Sequence, residues 1–152
     1  MNQADFRKLR EAVKADAMGL DWPKMTDDEL AASMNAATVS RRRLVPLWEL
    51  HRLAIEAGFL LAVESAAESH PKAEVQAAAR VALRYMNNPR FDHLDLDLVV
   101  TETMLDALVG GGVLSAEQKT AIDALANETV PLHVSLGLPP ILPGHVQKAR
   151  AL

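Results

Sequence analysis

The 152-residue chain contains no cysteine, which excludes disulfides and thiolate-held metal sites. Aromatic residues make up only 4% of it. With Ala and Leu abundant, that scarcity favours small-residue packing between helices over a β-sandwich, whose strands draw on aromatic and β-branched residues. No apolar run reaches the roughly 20 residues of a membrane span. The start, MNQADFRKLREAV, is charged and amphipathic, so no signal peptide is expected. Catalytic signatures are missing too. No nucleophile elbow or dinucleotide glycine pattern occurs, and no His stands four residues from His51 to complete a zinc pair. Gly110-Gly111-Gly112 lacks the Lys-Ser/Thr and the preceding strand of a phosphate loop, and reads as a turn. The net charge of −4 argues against a general nucleic-acid binder without excluding a local basic patch.

What is present is a mostly α chain, 49% hydrophobic and 24% charged, long enough to bury roughly 70% of its unfolded surface. The expected fold is a compact bundle of about five to seven helices with a short strand or extended connector near 38–45. Residues 1–130 form the expected core domain, and 131–152 a Pro-rich tail with a short terminal helix, packed on the core or on a partner. The most hydrophobic stretch, Pro46 to Ala67, reads as one helix starting with Pro46 at its first position. Leu47, Leu50, Ala54, Ala57 and Leu61 lie on one face and Trp48, Ile55, Phe59 and Ala62 on a second, leaving a thin polar stripe of Glu49, Arg52 and Glu56. It is expected to be surrounded by the others.

Elsewhere, helical spacing and cap residues predict the remaining elements. A first helix spans 4–18 with Gly19 as its C-cap, and Trp22 is a core lid. Thr26–Glu29 and Ser115–Gln118 are capping boxes. Pro71 opens a helix to about Met86, Asp97 is the N-cap of a helix to Val109, and the Gly turn makes a helical hairpin with the helix from Ala116. A helical turn from Pro131 ends at Gly137, and Pro143 starts the last helix.

Three places invite a functional reading. Arg41-Arg42-Arg43 is a partner-facing edge or, with Arg80, Arg84 and Arg90, a nucleic-acid patch; without interleaved aromatics the former is favoured. Asp92, His93, Asp95 and Asp97 suggest a hard cation, but Leu94 and Leu96 intervene and no Gly follows as in a calcium loop. An extended segment with one buried face fits better, so no metal, cofactor or catalytic residue is assigned. Leu138, Pro139, Pro140, Ile141, Leu142 and Pro143 form an apolar, Pro-punctuated stretch suited to docking, because Pro-fixed backbone loses little entropy on binding.

Several segments, in order, resemble those of a family of small proteins of tailed bacteriophages and prophages, encoded near tail-fibre genes. Ala17-Met18-Gly19-Leu20 is similar to its "D-P-x-G-L-G-Y" opening, and 25–36 to its "D-x-x-V/I-A-x-x-L-N-A" helix. Met104–Val109 with Gly112–Ser115 is similar to its "M-L-D-x-L-V-x-x-G-V-L-T/S" hairpin, and Ser135–Leu138 with Gly144–Arg150 to its close. The chain departs from the pattern with Ala17 in place of Pro, Trp22 in place of Tyr, and Leu132-His133-Val134 where an acidic segment is usual. The resemblance implies no enzymatic role. It implies a virion structural protein, a tail, baseplate or fibre-attachment component. Such a component packs in many copies against other phage structural proteins, in the host cytoplasm and then in the virion, with no membrane and no nucleic acid as partner. A phage assembly chaperone and a nucleic-acid-binding regulatory protein are the alternatives.

Overall fold

A computed structural model describes residues Met1–Leu152. The chain is mostly α, with nine α-helices and two two-stranded ribbons, somewhat more helices than expected. In order they are α1 (Gln3–Ala15), α2 (Asp27–Ala36), β1 (Thr38–Arg42), β2 (Val45–Pro46), α3 (Leu47–Glu56), α4 (Leu60–Ser69) and α5 (Ala73–Asn87). There follow β3 (His93–Leu94), α6 (Val99–Gly110), α7 (Ala116–Leu125), β4 (Asn127–Pro131), α8 (Leu132–Ser135) and α9 (Pro143–Arg150). β1 pairs with β4; β2 pairs antiparallel with β3, Val45 opposite Leu94 and Pro46 opposite His93. No helix is long and apolar enough to cross a membrane. The chain resolves into two compact units, Met1–Arg41 with Thr129–Leu152, and Arg42–Glu128.

In the first unit α1 and α2 both pack on α9, and α2 also on α8. Their apolar faces enclose Leu9, Val13, Trp22, Leu30, Ala31 and Met34 with Leu132, Leu138, Ile141, Val146 and Ala149. Trp22 is 1% exposed, and its indole N–H donates to Ser33 Oγ at 3.0 Å, the partner that a buried indole needs. α2 starts with the expected capping box: Thr26 Oγ1 accepts from Glu29 N, and the Glu29 carboxylate accepts from Thr26 N. The end of α1 differs from the sequence expectation. Asp16 is the cap residue, left-handed at φ 38°, and its carboxylate accepts from Leu20 N at 3.0 Å and Asp21 N at 2.8 Å; Gly19, also left-handed (φ 64°), lies three residues beyond.

Residues 129–152 group with the first 41 residues in the first unit. Asn35 Nδ2 donates to Ile141 O, and Ile141 N donates to Asn35 Oδ1, both at 2.8 Å. Arg150 donates to Asp27 Oδ1 and to Met25 O, each at 2.6 Å. Through Leu138 and Ile141 the proline-punctuated stretch contributes to the core formed with α1 and α2.

In the second unit α4 packs along α5 and α5 along α6. The expected long helix from Pro46 to Ala67 is instead two helices. Gly58 takes a left-handed φ of 72° and Phe59 N reaches back to Ala54 O at 3.0 Å, a backbone reversal that glycine permits. Pro46 is the cap residue before α3 rather than its first residue. Nor is the segment surrounded, since Trp48, Ile55 and Leu61 are 63%, 63% and 75% exposed. Ser115 and Gln118 form the second expected capping box. Gly111 in the α6–α7 turn is pressed so closely on α5 that an added Cβ would lie 2.5 Å from Val75 Cγ1.

Candidate functional site

The three arginines do not act as one patch. Successive side chains of a strand point to opposite faces, and Arg42 and Arg43 are engaged within the second unit. Arg42 Nη2 donates to Asp97 Oδ1 at 2.7 Å and Asp123 Oδ1 at 2.9 Å, and Nη1 to Asn127 Oδ1 at 3.1 Å. Arg43 pairs with Glu49 and donates through Nε to Leu125 O at 3.0 Å. Arg41 is exposed in β1. The hydrogen bond from Arg42 holds the Asp97 carboxyl below the ordinary carboxylate range, and Asp97 and Asp123 together raise the guanidinium further. Arg42, Asp97, Glu102, Lys119 and Asp123 line a cleft of about 340 Å³. Lys119 is itself paired with Asp106, whose hydrogen bond raises its pKa. The cleft is thus walled by ion pairs already closed within the chain.

The Asp92–Asp97 segment is extended, as its alternation implied, with Leu94 and Leu96 buried. It is not a cation loop: Asp95 Oδ1 accepts from Asp97 N at 2.9 Å and Asp97 binds Arg42. No three His, Asp or Glu side chains gather where they could hold a metal ion. Asp97 is also not the cap of α6, a position taken by Leu98, because its carboxylate is committed to the arginine.

The proposed docking stretch divides by side. Leu138 and Ile141 are buried, 5% and 1% exposed, so these two face the core of their own unit and not a partner. Pro139, Pro140, Leu142 and Pro143 are exposed, a ridge held from beneath by the Asn35–Ile141 clamp.

A surface that the sequence reading placed in the core lies on α3. Trp48, Arg52 and Ile55 share a helical face, with the Arg52 guanidinium 5.5 Å from the Trp48 ring centroid. Across from Trp48 stands Phe91, 45% exposed and stacked at a tilt on Tyr85 with 5.2 Å between centroids. The β2–β3 pairing and the bond from Leu47 N to Asp92 O at 2.9 Å fix the 88–92 loop beside the start of α3. Between them runs an open groove of about 340 Å³, with Trp48, His51, Pro89, Phe91 and Asp92 among its lining. The signal was legible: the row through Trp48 also carries Arg52, and a charged residue one turn on marks a solvent face.

Compared with protein-family models, with curated proteins and with solved structures, the chain matches none.

Proposed function

We propose that this chain is a non-enzymatic packing module of a tailed bacteriophage, a virion structural component of the tail, baseplate or fibre attachment that works by docking on other structural proteins. The phage assignment rests on the ordered resemblance of its segments. The packing role rests on one observation, the exposed Trp48–Phe91 groove. Large exposed aromatic and aliphatic side chains grouped in a groove are the usual mark of a surface awaiting a partner. The Pro139–Pro143 ridge adds a second, rigid contact element. A nucleic-acid role through the Arg run has less support, since Arg42 and Arg43 spend their charge on Asp97, Asp123 and Glu49.

Mass spectrometry of purified particles tests the reading. The chain is expected in them in repeated copies, as symmetric assembly requires. Abundance in infected cells with absence from particles would overturn the structural role and favour an assembly chaperone.

A further inference from the structure

We propose that the pocket between α1 and α9 binds a small organic phosphate monoester, its dianion held by Arg10 and Lys14 and its organic part laid on the apolar wall of the same pocket. The pocket lies wholly within the first unit and owes nothing to the Trp48 groove or to the packing role.

The pocket measures about 260 Å³, and its lining carries three cations, Arg10, Lys14 and Arg150, with no Asp or Glu among them. The chain as a whole is acidic, with 20 Asp and Glu against 16 Lys and Arg. In the second unit cations close on carboxylates: Arg42 on Asp97 and Asp123, Arg43 on Glu49, Lys119 on Asp106. Arg10 and Lys14 have no such partner, and neither side chain makes an ion pair or a hydrogen bond within the chain. Arg10 is nonetheless half-buried. A guanidinium has five N–H donors, and withdrawing it from part of its water with no acceptor in reach is costly until a ligand supplies one.

The helix adds to that cost. Arg7, Arg10 and Lys14 follow one another on α1 at steps of three and four residues, where like charges are neighbours and repel. Lys14 in the last turn of α1 and Arg150 in the last turn of α9 complement the negative ends of their helices. Arg10, a full turn earlier, has no such explanation.

Charge and shape set the class of ligand. Arg150 donates to Asp27 Oδ1 and to Met25 O, so its charge is answered and it stands as a fixed wall. The unanswered charges are those of Arg10 and Lys14. Together they match a phosphate monoester, which carries about −1.5 to −2 near neutral pH, better than they match a single carboxylate. Arg10 offers a planar fork and Lys14 a point charge, the two forms in which side chains hold phosphate oxygens. Val13, Val146 and Ala149, all buried, form the apolar side, which favours an aromatic or aliphatic substituent over a bare ion. The volume lies below the roughly 300 Å³ at which pockets for drug-sized ligands begin, so the ligand is small.

Phenyl phosphate titrated into the isotope-labelled full chain at low ionic strength, followed by amide shifts in two-dimensional NMR, provides the test. Saturable shifts are expected at residues 10–14 and 146–150, with a Kd of about 1 mM or below. Inorganic phosphate should shift the same amides about fivefold more weakly, for want of the apolar contact. Lys14→Gln and Arg10→Gln should each raise the Kd about tenfold, the loss of one hydrogen bond to a charged group. Lys14 is exposed, so its variant keeps the comparison standing if Arg10→Gln folds poorly. Lys8→Gln removes the same charge from α1 outside the pocket and should leave the Kd within about twofold. No saturation by about 20 mM phenyl phosphate, a Kd unmoved in Lys14→Gln, or an equal loss in Lys8→Gln would each overturn the proposal. Inorganic phosphate binding as tightly as phenyl phosphate would overturn the organic ligand and leave a bare anion site. Binding by a chain that is absent from particles overturns the packing role alone; presence in particles without binding overturns this site alone.

Discussion

The side-chain amide of Asn35 and the main chain of Ile141 bind each other twice, amide N–H to carbonyl and backbone N–H to amide oxygen, at 2.8 Å each way across 106 residues of sequence. One planar amide thus supplies both the donor and the acceptor. Asn35→Ala leaves the part-buried Ile141 groups without partners and is expected to destabilise the chain by about 1–3 kcal/mol, measured by urea unfolding. A loss below the error of that measurement would mean that the clamp is not what fixes the ridge.

Truncation after Gly137 removes Leu138, Ile141, Val146 and Ala149 from the core of the first unit. The expected outcome is loss of amide protection in α1 and α2, read by hydrogen exchange, because both helices pack on the deleted α9. Protected α1 and α2 amides in the truncated chain would contradict the assignment of this stretch to the core.

Arg42→Ala tests the closed cleft. The Asp97 carboxyl is depressed by the Arg42 hydrogen bond, so its contribution to stability is present above the unfolded carboxylate pKa and is lost as pH falls through the lower folded value. In an NMR titration of side-chain carboxyls, Asp97 should titrate below the ordinary range in wild type and return to it in Arg42→Ala. An unmoved Asp97 would show that the arginine is not its principal partner.

Gly111→Ala places a methyl 2.5 Å from Val75 Cγ1 and 2.7 Å from Cγ2, where Val75 is 1% exposed. Overpacking of this kind costs about 1–3 kcal/mol. Combined with Val75→Ala it should cost less than the sum of the two single changes, since the added methyl then has room; thermal unfolding of all four proteins gives the coupling. Additive losses would remove the steric explanation.

What could be read from the sequence was local. Caps at Thr26 and Ser115 are fixed by residues three apart, and the turns at Gly112 and Gly137 by the left-handed backbone. The break at Gly58 was hidden because apolar residues on both sides continue the helical period through it. The fate of Leu138 and Ile141 was hidden for a different reason: their partners lie on α1 and α2, far away in sequence. The Arg run looked like a patch because Asp97 and Asp123, which occupy Arg42, come from 55 and 81 residues further on. Trp48 was misplaced because hydrophobicity alone assigned its face, and only the neighbouring Arg52 told otherwise.

Hydroxyl-radical footprinting of particle-bound against free protein tests the proposed docking role of the Trp48 groove. Trp22, 1% exposed, serves as the internal reference and should be unreactive in both. Trp48, 63% exposed, should be oxidised in the free chain and protected several-fold in the particle. Equal oxidation of Trp48 in both states would mean that nothing covers the groove in the particle.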